Sequence, residues 1–109
     1  MSKNKQPAQW EIWFADVRFE DAPNLSKRRP VLVLFNNVVY ILSLKITSKA
    51  PRNSYYGEYV LLKWKEAGLD RQSTVRISKK LKLVERDFVY KIGRLAPIDI
   101  LNIRKFLND

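Results

Sequence analysis

Two short polar and basic segments hold the side chains with the clearest capacity for chemistry. Lys27-Arg28-Arg29-Pro30 stands where a polar loop leads into an apolar run, and Thr47-Ser48-Lys49 stands where a later apolar run gives way to another loop. A guanidinium beside a hydroxyl at the mouth of a loop is suited to bind a phosphate, because the guanidinium can donate two parallel hydrogen bonds. Solvated loop residues would give the same pattern, so both interpretations stay open at this point.

The residue types that the chain lacks narrow the chemistry further. Its 109 residues include no histidine and no cysteine, which excludes Ser-His-Asp triads, thiol nucleophiles and metal sites built on these ligands. The glycines, Gly57, Gly68 and Gly93, are too far apart for a phosphate-binding glycine loop. No acidic cluster has the density of a two-metal nuclease site. We therefore expect no metal and no other cofactor.

The positive charge, +10 at pH 7, is concentrated in two parts of the chain. Residues 27–52 contain six basic residues and no acid, and residues 71–94 contain eight basic residues and two acids. Such a distribution attracts polyanions, with a merely solvated basic surface as the alternative. No amphipathic basic helix, signal peptide or membrane-spanning apolar stretch is apparent. We expect a soluble, cytoplasmic protein with no membrane partner.

Apolar runs and turn signals predict one small, mainly β domain. Residues 1–9 are expected to form a flexible tail, and residues 10–109 a single domain. Runs rich in aromatic and β-branched residues predict strands over 11–17, 31–35, 38–46, 57–62, 73–77 and 88–95, with 79–87 ambiguous. Pro97 followed by Ile100, Ile103 and Leu107 predicts a C-terminal helix. Short strands at this spacing predict a partly open barrel with a short terminal helix.

The second and third predicted strands bring the two candidate segments together. Asn36-Asn37 is a signal for a two-residue hairpin turn, which makes the flanking strands antiparallel neighbours. The start of one strand then lies beside the end of the other. Arg29 and Thr47 are therefore predicted to lie close in space, since a register counted from this turn matches the pair to within a few residues.

Five elements of the sequence, taken together, match the order and spacing of a known family. They are Glu11-Ile12-Trp13, the run from Lys27 to Leu34, Ile46-Thr47-Ser48, Gly68-Leu69-Asp70-Arg71-Gln72-Ser73 and Ile92-Gly93-Arg94-Leu95. The set resembles the MazF/PemK toxins of type II toxin–antitoxin systems. The resemblance implies an SH3-like barrel, usually a homodimer, that cuts single-stranded RNA without a metal. It also implies a cognate antitoxin whose acidic segment folds across the active groove.

The resemblance also implies which residues form the site. The family's functional Arg before Pro corresponds to Arg29, its Thr in Ile-Thr-Ser to Thr47, and an Arg that some members use two residues before an acid to Arg76. Ser78 stands at the place of that acid, so the general base is not identified.

Further substrate-binding candidates, including aromatic rings on which bases could stack, are Lys27, Arg28, Ser48, Lys49, Tyr55, Tyr56 and Ser78, with Phe19 as another such ring. Trp10, Trp13 and Trp64 are expected in the core or at a dimer contact.

Cleavage of RNA would suit these residue types, because the substrate carries its own nucleophile, the 2′-hydroxyl. Arg29 would stabilise the transition-state phosphate and transfer a proton, Thr47 would position the phosphate, and Arg76 would add a second charge contact. The expected product is a 2′,3′-cyclic phosphate. Two alternatives remain open: a non-catalytic nucleic-acid-binding barrel, and a CcdB-type topoisomerase poison. The second is disfavoured because the chain ends in Phe106-Leu107-Asn108-Asp109, without tryptophan.

Overall fold

Six strands and one α-helix make up the computed structural model, which describes residues 5–19, 21–51 and 57–108. They are β1 (Glu11–Arg18), β2 (Ser26–Asn36), β3 (Ile41–Thr47), β4 (Glu58–Val60), β5 (Thr74–Leu83), β6 (Phe88–Arg94) and α1 (Pro97–Leu107), with a 3₁₀ turn at Glu85–Asp87. The strands form one antiparallel sheet in the order β4-β5-β3-β2-β1-β6. This open antiparallel sheet with a terminal helix confirms the predicted fold class.

The β2–β3 hairpin has a longer turn than the sequence predicts. Asn36 ends β2 and Ile41 begins β3, so a four-residue loop replaces the predicted two-residue turn. Asn36 Oδ1 accepts a hydrogen bond from the Val38 amide at 3.1 Å, and Asn37 Oδ1 accepts one from the Tyr40 amide at 3.0 Å. The asparagines thus stabilise the loop through their side chains, while the left-handed backbone, φ 77°, falls on Val38. The predicted turn was wrong in both length and position.

Strand β5 extends beyond the predicted 73–77 and includes residues whose structure the sequence left ambiguous. It continues to Leu83, because Leu81 and Leu83 pack on the smaller core while Lys82 between them is exposed. The strand bends where its pairing shifts: Leu44 lies opposite Lys80, but the next residue, Lys45, lies opposite Arg76. Residues 77–79 therefore form a bulge, which turns the first part of β5 toward β4.

The two faces of the sheet bury separate apolar clusters. The larger cluster packs beneath α1 and includes Trp10, Leu32, Leu44 and Ile103. The smaller lies on the opposite face and centres on Trp13, whose ring meets Phe88 edge-on at 5.8 Å. Because neighbouring residues of a strand point to opposite faces, β2 and β3 contribute side chains to both clusters. The polar side chains of the site lie further along the same two strands, near the start of β2 and the end of β3.

A buried carboxylate fixes β4 to the helix. Asp99 is fully buried and accepts hydrogen bonds from the Tyr59 hydroxyl at 2.6 Å and from the amides of Leu62 and Lys63, both at 2.9 Å. Asn102 Nδ2 donates to the Tyr59 oxygen at 2.9 Å. Burial, together with the Asp99 carboxylate, raises the pKa of Tyr59 to about 12. The three-residue edge strand is therefore held by polar contacts as well as by its pairing with β5.

The described part of the N-terminal segment lies against the domain. Pro7 is buried, and its carbonyl accepts a hydrogen bond from Asn36 Nδ2 at 2.9 Å. The Lys5 amide donates to Glu85 Oε2 at 2.7 Å. No helix in the described ranges is long and apolar enough to cross a membrane.

Candidate functional site

The site is a pocket at the end of the sheet where β2 begins, β3 ends and β5 begins. Its volume is about 450 Å³. Among the described residues that line it, one is acidic, Asp70, and the cationic ones are Lys27, Arg28, Arg29, Lys45, Lys49, Arg71 and Arg76. We call this the basic pocket. Charge of one sign in a concave surface concentrates the electrostatic potential, which favours a polyanionic ligand.

The structure brings most of the predicted site residues together here. Arg29, Thr47 and Arg76 all line the basic pocket, and so do Lys27, Arg28, Ser48 and Lys49. Phe19 and Ser78 do not: Phe19 lies beyond the end of β1, and Ser78 is an exposed residue of the β5 bulge. Tyr55 and Tyr56 lie outside the described residues.

The register of the β2–β3 hairpin explains why Arg29 and Thr47 meet. Val31 is the direct partner of Lys45, and two residues further along each strand in the same register stand Arg29 and Thr47. The longer loop corrects the few-residue offset in the predicted register. Thr47 Oγ1 accepts a hydrogen bond from the Lys49 amide at 3.2 Å, so the hydroxyl hydrogen remains available to donate to a ligand.

Arg29 is a pocket cation that its surroundings do not compensate. Its side chain is half-buried, and it has no acidic group within 4 Å in the described part of the chain. Burial, and then the positive charge of Arg76, lower the pKa of Arg29. Both causes disfavour the charged guanidinium. A bound anion would relieve them, which makes Arg29 the natural centre of a phosphate site.

Two other cations of the pocket have exposed acidic partners. Arg28 Nε lies 3.1 Å from Asp16 Oδ1, its direct partner across β1 and β2. Arg71 Nε lies 3.3 Å from the adjacent Asp70. Exposed ion pairs of this kind contribute little to stability, about 0–1 kcal/mol. These guanidiniums can therefore exchange a carboxylate for a phosphate at little cost.

Arg76 has a buried acidic partner that the sequence does not reveal. Glu58 faces it directly across β4 and β5, and Glu58 Oε2 lies 3.4 Å from Arg76 Nε. The Glu58 side chain is only 1% exposed and that of Arg76 17%. Ser78, at the position where the resemblance places an acid, carries no charge. Glu58 of the neighbouring strand β4 instead approaches the same guanidinium. No signal in the sequence sets residue 58 opposite residue 76, since the polar residues that precede β4 carry no pattern that predicts its register.

Further lining residues were also missed at the sequence level. Lys45 lines the pocket and could have been predicted from the sequence. It is a cation within the apolar third strand, and the alternation of side chains along a strand places it on the same face as Thr47. Phe14 adds an aromatic wall and stacks on Tyr90 at 5.2 Å. Asp70 places a carboxylate at the pocket. No group of three or more acidic side chains suited to a metal ion occurs within the described ranges.

Chemically, the arrangement is an anion site with hydroxyl donors. Half-buried and exposed guanidiniums stand beside the hydroxyl of Thr47, and such a set binds a phosphate through several charge-assisted hydrogen bonds. An aromatic ring at the wall suits an unpaired base. The pocket thus has the parts needed to hold a single-stranded nucleic acid by its backbone.

Comparisons with known proteins agree with this architecture. Residues 8–109 match the model of a family described as the PemK-like, MazF-like toxin of type II toxin–antitoxin systems. The fold is similar to that of the Mycobacterium tuberculosis toxin MazF-mt6, with a TM-score of 0.66 and 21% sequence identity, over 87% of this chain and 89% of that one. Among curated proteins, none has a significantly similar sequence.

Proposed function

Because the chain belongs to the PemK-like, MazF-like family of type II toxins, we propose that it is a metal-independent endoribonuclease that cuts single-stranded RNA in the cytoplasm. The observation that carries the proposal is the convergence of Arg29, Thr47 and Arg76 on the basic pocket. Family membership implies an antitoxin partner. The acidic segment proposed for that antitoxin would complement the charge of the pocket. A homodimer is proposed on the resemblance alone.

The proposed reaction is an internal displacement at phosphorus. The ribose 2′-oxygen attacks the adjacent phosphate, the bond from phosphorus to the 5′-oxygen breaks, and a 2′,3′-cyclic phosphate and a 5′-hydroxyl result. The protein must align these atoms and stabilise the charge that develops on the phosphate. Arg29 and Arg76 would donate to its oxygens, while the Thr47 hydroxyl would fix its position.

Proton transfer completes the reaction. The lowered pKa of Arg29 makes its guanidinium a better proton donor than an ordinary arginine, so we assign it the proton given to the departing 5′-oxygen. Asp70 is the carboxylate among the described lining residues and is the candidate to accept the 2′ proton. Ser78 has no place in this scheme, because it lies outside the pocket lining.

The decisive experiment is incubation of the purified protein with a long single-stranded RNA in EDTA. We expect discrete fragments with cyclic phosphate ends. Arg29→Ala should abolish cleavage, and Arg29→Lys should cut at least ~100-fold more slowly, since lysine keeps the charge but not the planar pair of donors. Arg86→Ala is the matched control, because Arg86 is exposed and does not line the pocket. Wild-type rates from Arg29→Ala would refute the assignment.

The same experiment separates the alternatives. RNA that stays intact but binds tightly would favour a non-catalytic nucleic-acid-binding barrel, which the charge of the basic pocket also suits. The topoisomerase-poison alternative would need free aromatic contacts at the C-terminus. Phe106 instead packs on the core and meets Tyr59 at 6.2 Å, so nothing specific favours that function.

A further inference from the structure

We propose that Glu58 is a positioning residue, which holds the Arg76 guanidinium in the orientation that the cleavage of RNA requires. This inference rests on the proposed ribonuclease function and adds a residue to it. Glu58 is not among the residues that line the basic pocket, whereas Arg76 is. Its effect on a substrate would therefore pass through Arg76.

The first support is the burial of the carboxylate. A glutamate on a three-residue edge strand is expected in solvent, yet the Glu58 side chain is 1% exposed. A buried ion pair is weak evidence for stability, because well-packed apolar side chains serve that purpose as well or better. A carboxylate kept in this place beside a pocket cation therefore points to a role in the site.

The geometry of Arg76 gives the second support. Its Nε is buried and makes no hydrogen bond to any described residue; the nearest acid oxygen, Glu58 Oε2, lies 3.4 Å away. Since Nε is enclosed on the Glu58 side, the exposed part of the side chain consists of other atoms, and these line the pocket. The carboxylate thus attracts one edge of the guanidinium by charge across 3.4 Å and leaves the other edge for a phosphate.

The third support is the repulsion between the two guanidiniums. Arg29 and Arg76 line the same pocket, and after burial the charge of Arg76 is the second cause that lowers the pKa of Arg29, so the two like charges repel each other. An anion behind Arg76 offsets this repulsion without occupying the space of the substrate. Without it, the flexible Arg76 side chain would gain by turning away from Arg29.

The backbone of Glu58 is itself well held. The adjacent Tyr59 is bound to Asp99 of α1 at 2.6 Å, and the Gly57 carbonyl accepts a hydrogen bond from the Ile77 amide at 2.7 Å. Position 58 is therefore supported from both neighbours in the chain. A residue meant to orient another side chain needs such support, since small displacements in a site reduce rates strongly.

The test is a double-mutant cycle on RNA cleavage. Glu58→Gln, which keeps the shape and removes the charge, should lower kcat about 10- to 100-fold. It should not weaken the binding of a 2′-O-methyl RNA of the mapped cleavage sequence, because the pocket becomes more positive. In an Arg76→Ala background, Glu58→Gln should cause no further loss if the carboxylate acts through Arg76. Glu66→Gln, an exposed change of the same kind, should cleave like the wild type.

A spectroscopic measurement accompanies the cycle. The Nε–H signal of Arg76 in ¹⁵N NMR spectra should be protected from exchange in the wild type and lost in Glu58→Gln, while the dispersed backbone spectrum stays. Glu58→Asp should restore part of the activity. If the wild type cleaves and the effects of Glu58→Gln and Arg76→Ala are independent, the inference is overturned and the ribonuclease stands. If the wild type leaves RNA intact, both are overturned.

Discussion

Arg29 and Thr47 face the same pocket from opposite strands of the β2–β3 hairpin, at positions that continue the observed pairing of Val31 with Lys45. One register thereby fixes the distance between a cation and a hydroxyl that are far apart in sequence. Because the hairpin interior is buried on both faces, a slip by one residue would move its apolar side chains into the opposite cluster and disrupt the packing of both. The stability of the sheet therefore also secures the geometry of the site.

The hydroxyl of Thr47 is expected to contribute to the rate and little to the fold. Thr47→Val keeps the branched shape and removes the donor, and cleavage should fall about 10- to 100-fold. Thr47→Ser keeps the donor and should retain most of the activity. Initial rates on one RNA, with circular dichroism to confirm folding, would measure both. Equal loss in the two variants would mean that the methyl group, and not the hydroxyl, is required.

The carboxylate of Asp70 is expected to take part in the chemical step. Asp70→Asn removes the candidate proton acceptor and should lower kcat about 100-fold, while RNA binding should hold or strengthen because a negative charge leaves the pocket. Asp21→Asn, an exposed acid outside the lining, serves as the control. Single-turnover cleavage and anisotropy titrations would separate the two effects. If Asp70→Asn cleaves RNA like the wild type, Asp70 does not accept the 2′ proton, and solvent becomes the candidate acceptor.

Affinity for RNA is expected to depend strongly on salt. If the basic pocket and its rim contact about four phosphates, the log of the affinity should fall with log salt at a slope of about −3. Lys49→Ala should make this slope less negative by about 0.7, since one phosphate contact is lost. Fluorescence anisotropy with a 2′-O-methyl RNA between 50 mM and 300 mM salt, roughly the range over which such slopes are resolved, would test this. A flat response would remove the electrostatic basis of recognition.

The Tyr59–Asp99 contact is expected to make the fold sensitive to alkali. Folding raises the pKa of Tyr59 from its usual value of 10 to about 12, so the folded state favours the protonated phenol. This contribution to the free energy of unfolding is complete below pH 10 and is lost as the pH rises toward 12. Tyr59→Phe should cost about 1–3 kcal/mol near neutral pH, because Asp99 loses a donor.

Urea unfolding of both proteins at several pH values would check that expectation. The wild type should lose stability more steeply between pH 10 and pH 12 than Tyr59→Phe does, and one tyrosine should titrate late in the absorbance near 295 nm. Parallel curves for the two proteins would show that the hydroxyl does not stay protonated through this contact. The two proteins differ only in the Tyr59 hydroxyl, so effects of pH on the rest of the chain cancel in the comparison.

Local sequence information was sufficient for the parts of the site that lie on one hairpin. Arg29 and Thr47 flank two apolar runs joined by a short turn, and antiparallel pairing then forces them together even when the turn is misplaced. The terminal helix was equally accessible, because Pro97 and the spacing of Ile100, Ile103 and Leu107 specify it locally. The exclusion of histidine and cysteine chemistry needed composition alone.

Local sequence information did not predict the contacts between segments that lie far apart in the chain. The bulge at 77–79, which places Ser78 outside the basic pocket, depends on how β5 bends between two partners. The pairing of Glu58 with Arg76 depends on the same bend. A bulge changes which residues share a face of the sheet, and the periodicity of side chains within one strand does not predict where a bulge occurs.

Composition and local order in the chain therefore specify the charge, the excluded chemistry and the hairpin that carries Arg29 and Thr47. The folded arrangement of distant segments specifies how Arg76 enters the site and which acid lies next to it. Hairpin pairing is set by neighbours in the chain, whereas the β4–β5 contact depends on the register shift in β5 and on the Tyr59–Asp99 contact with α1.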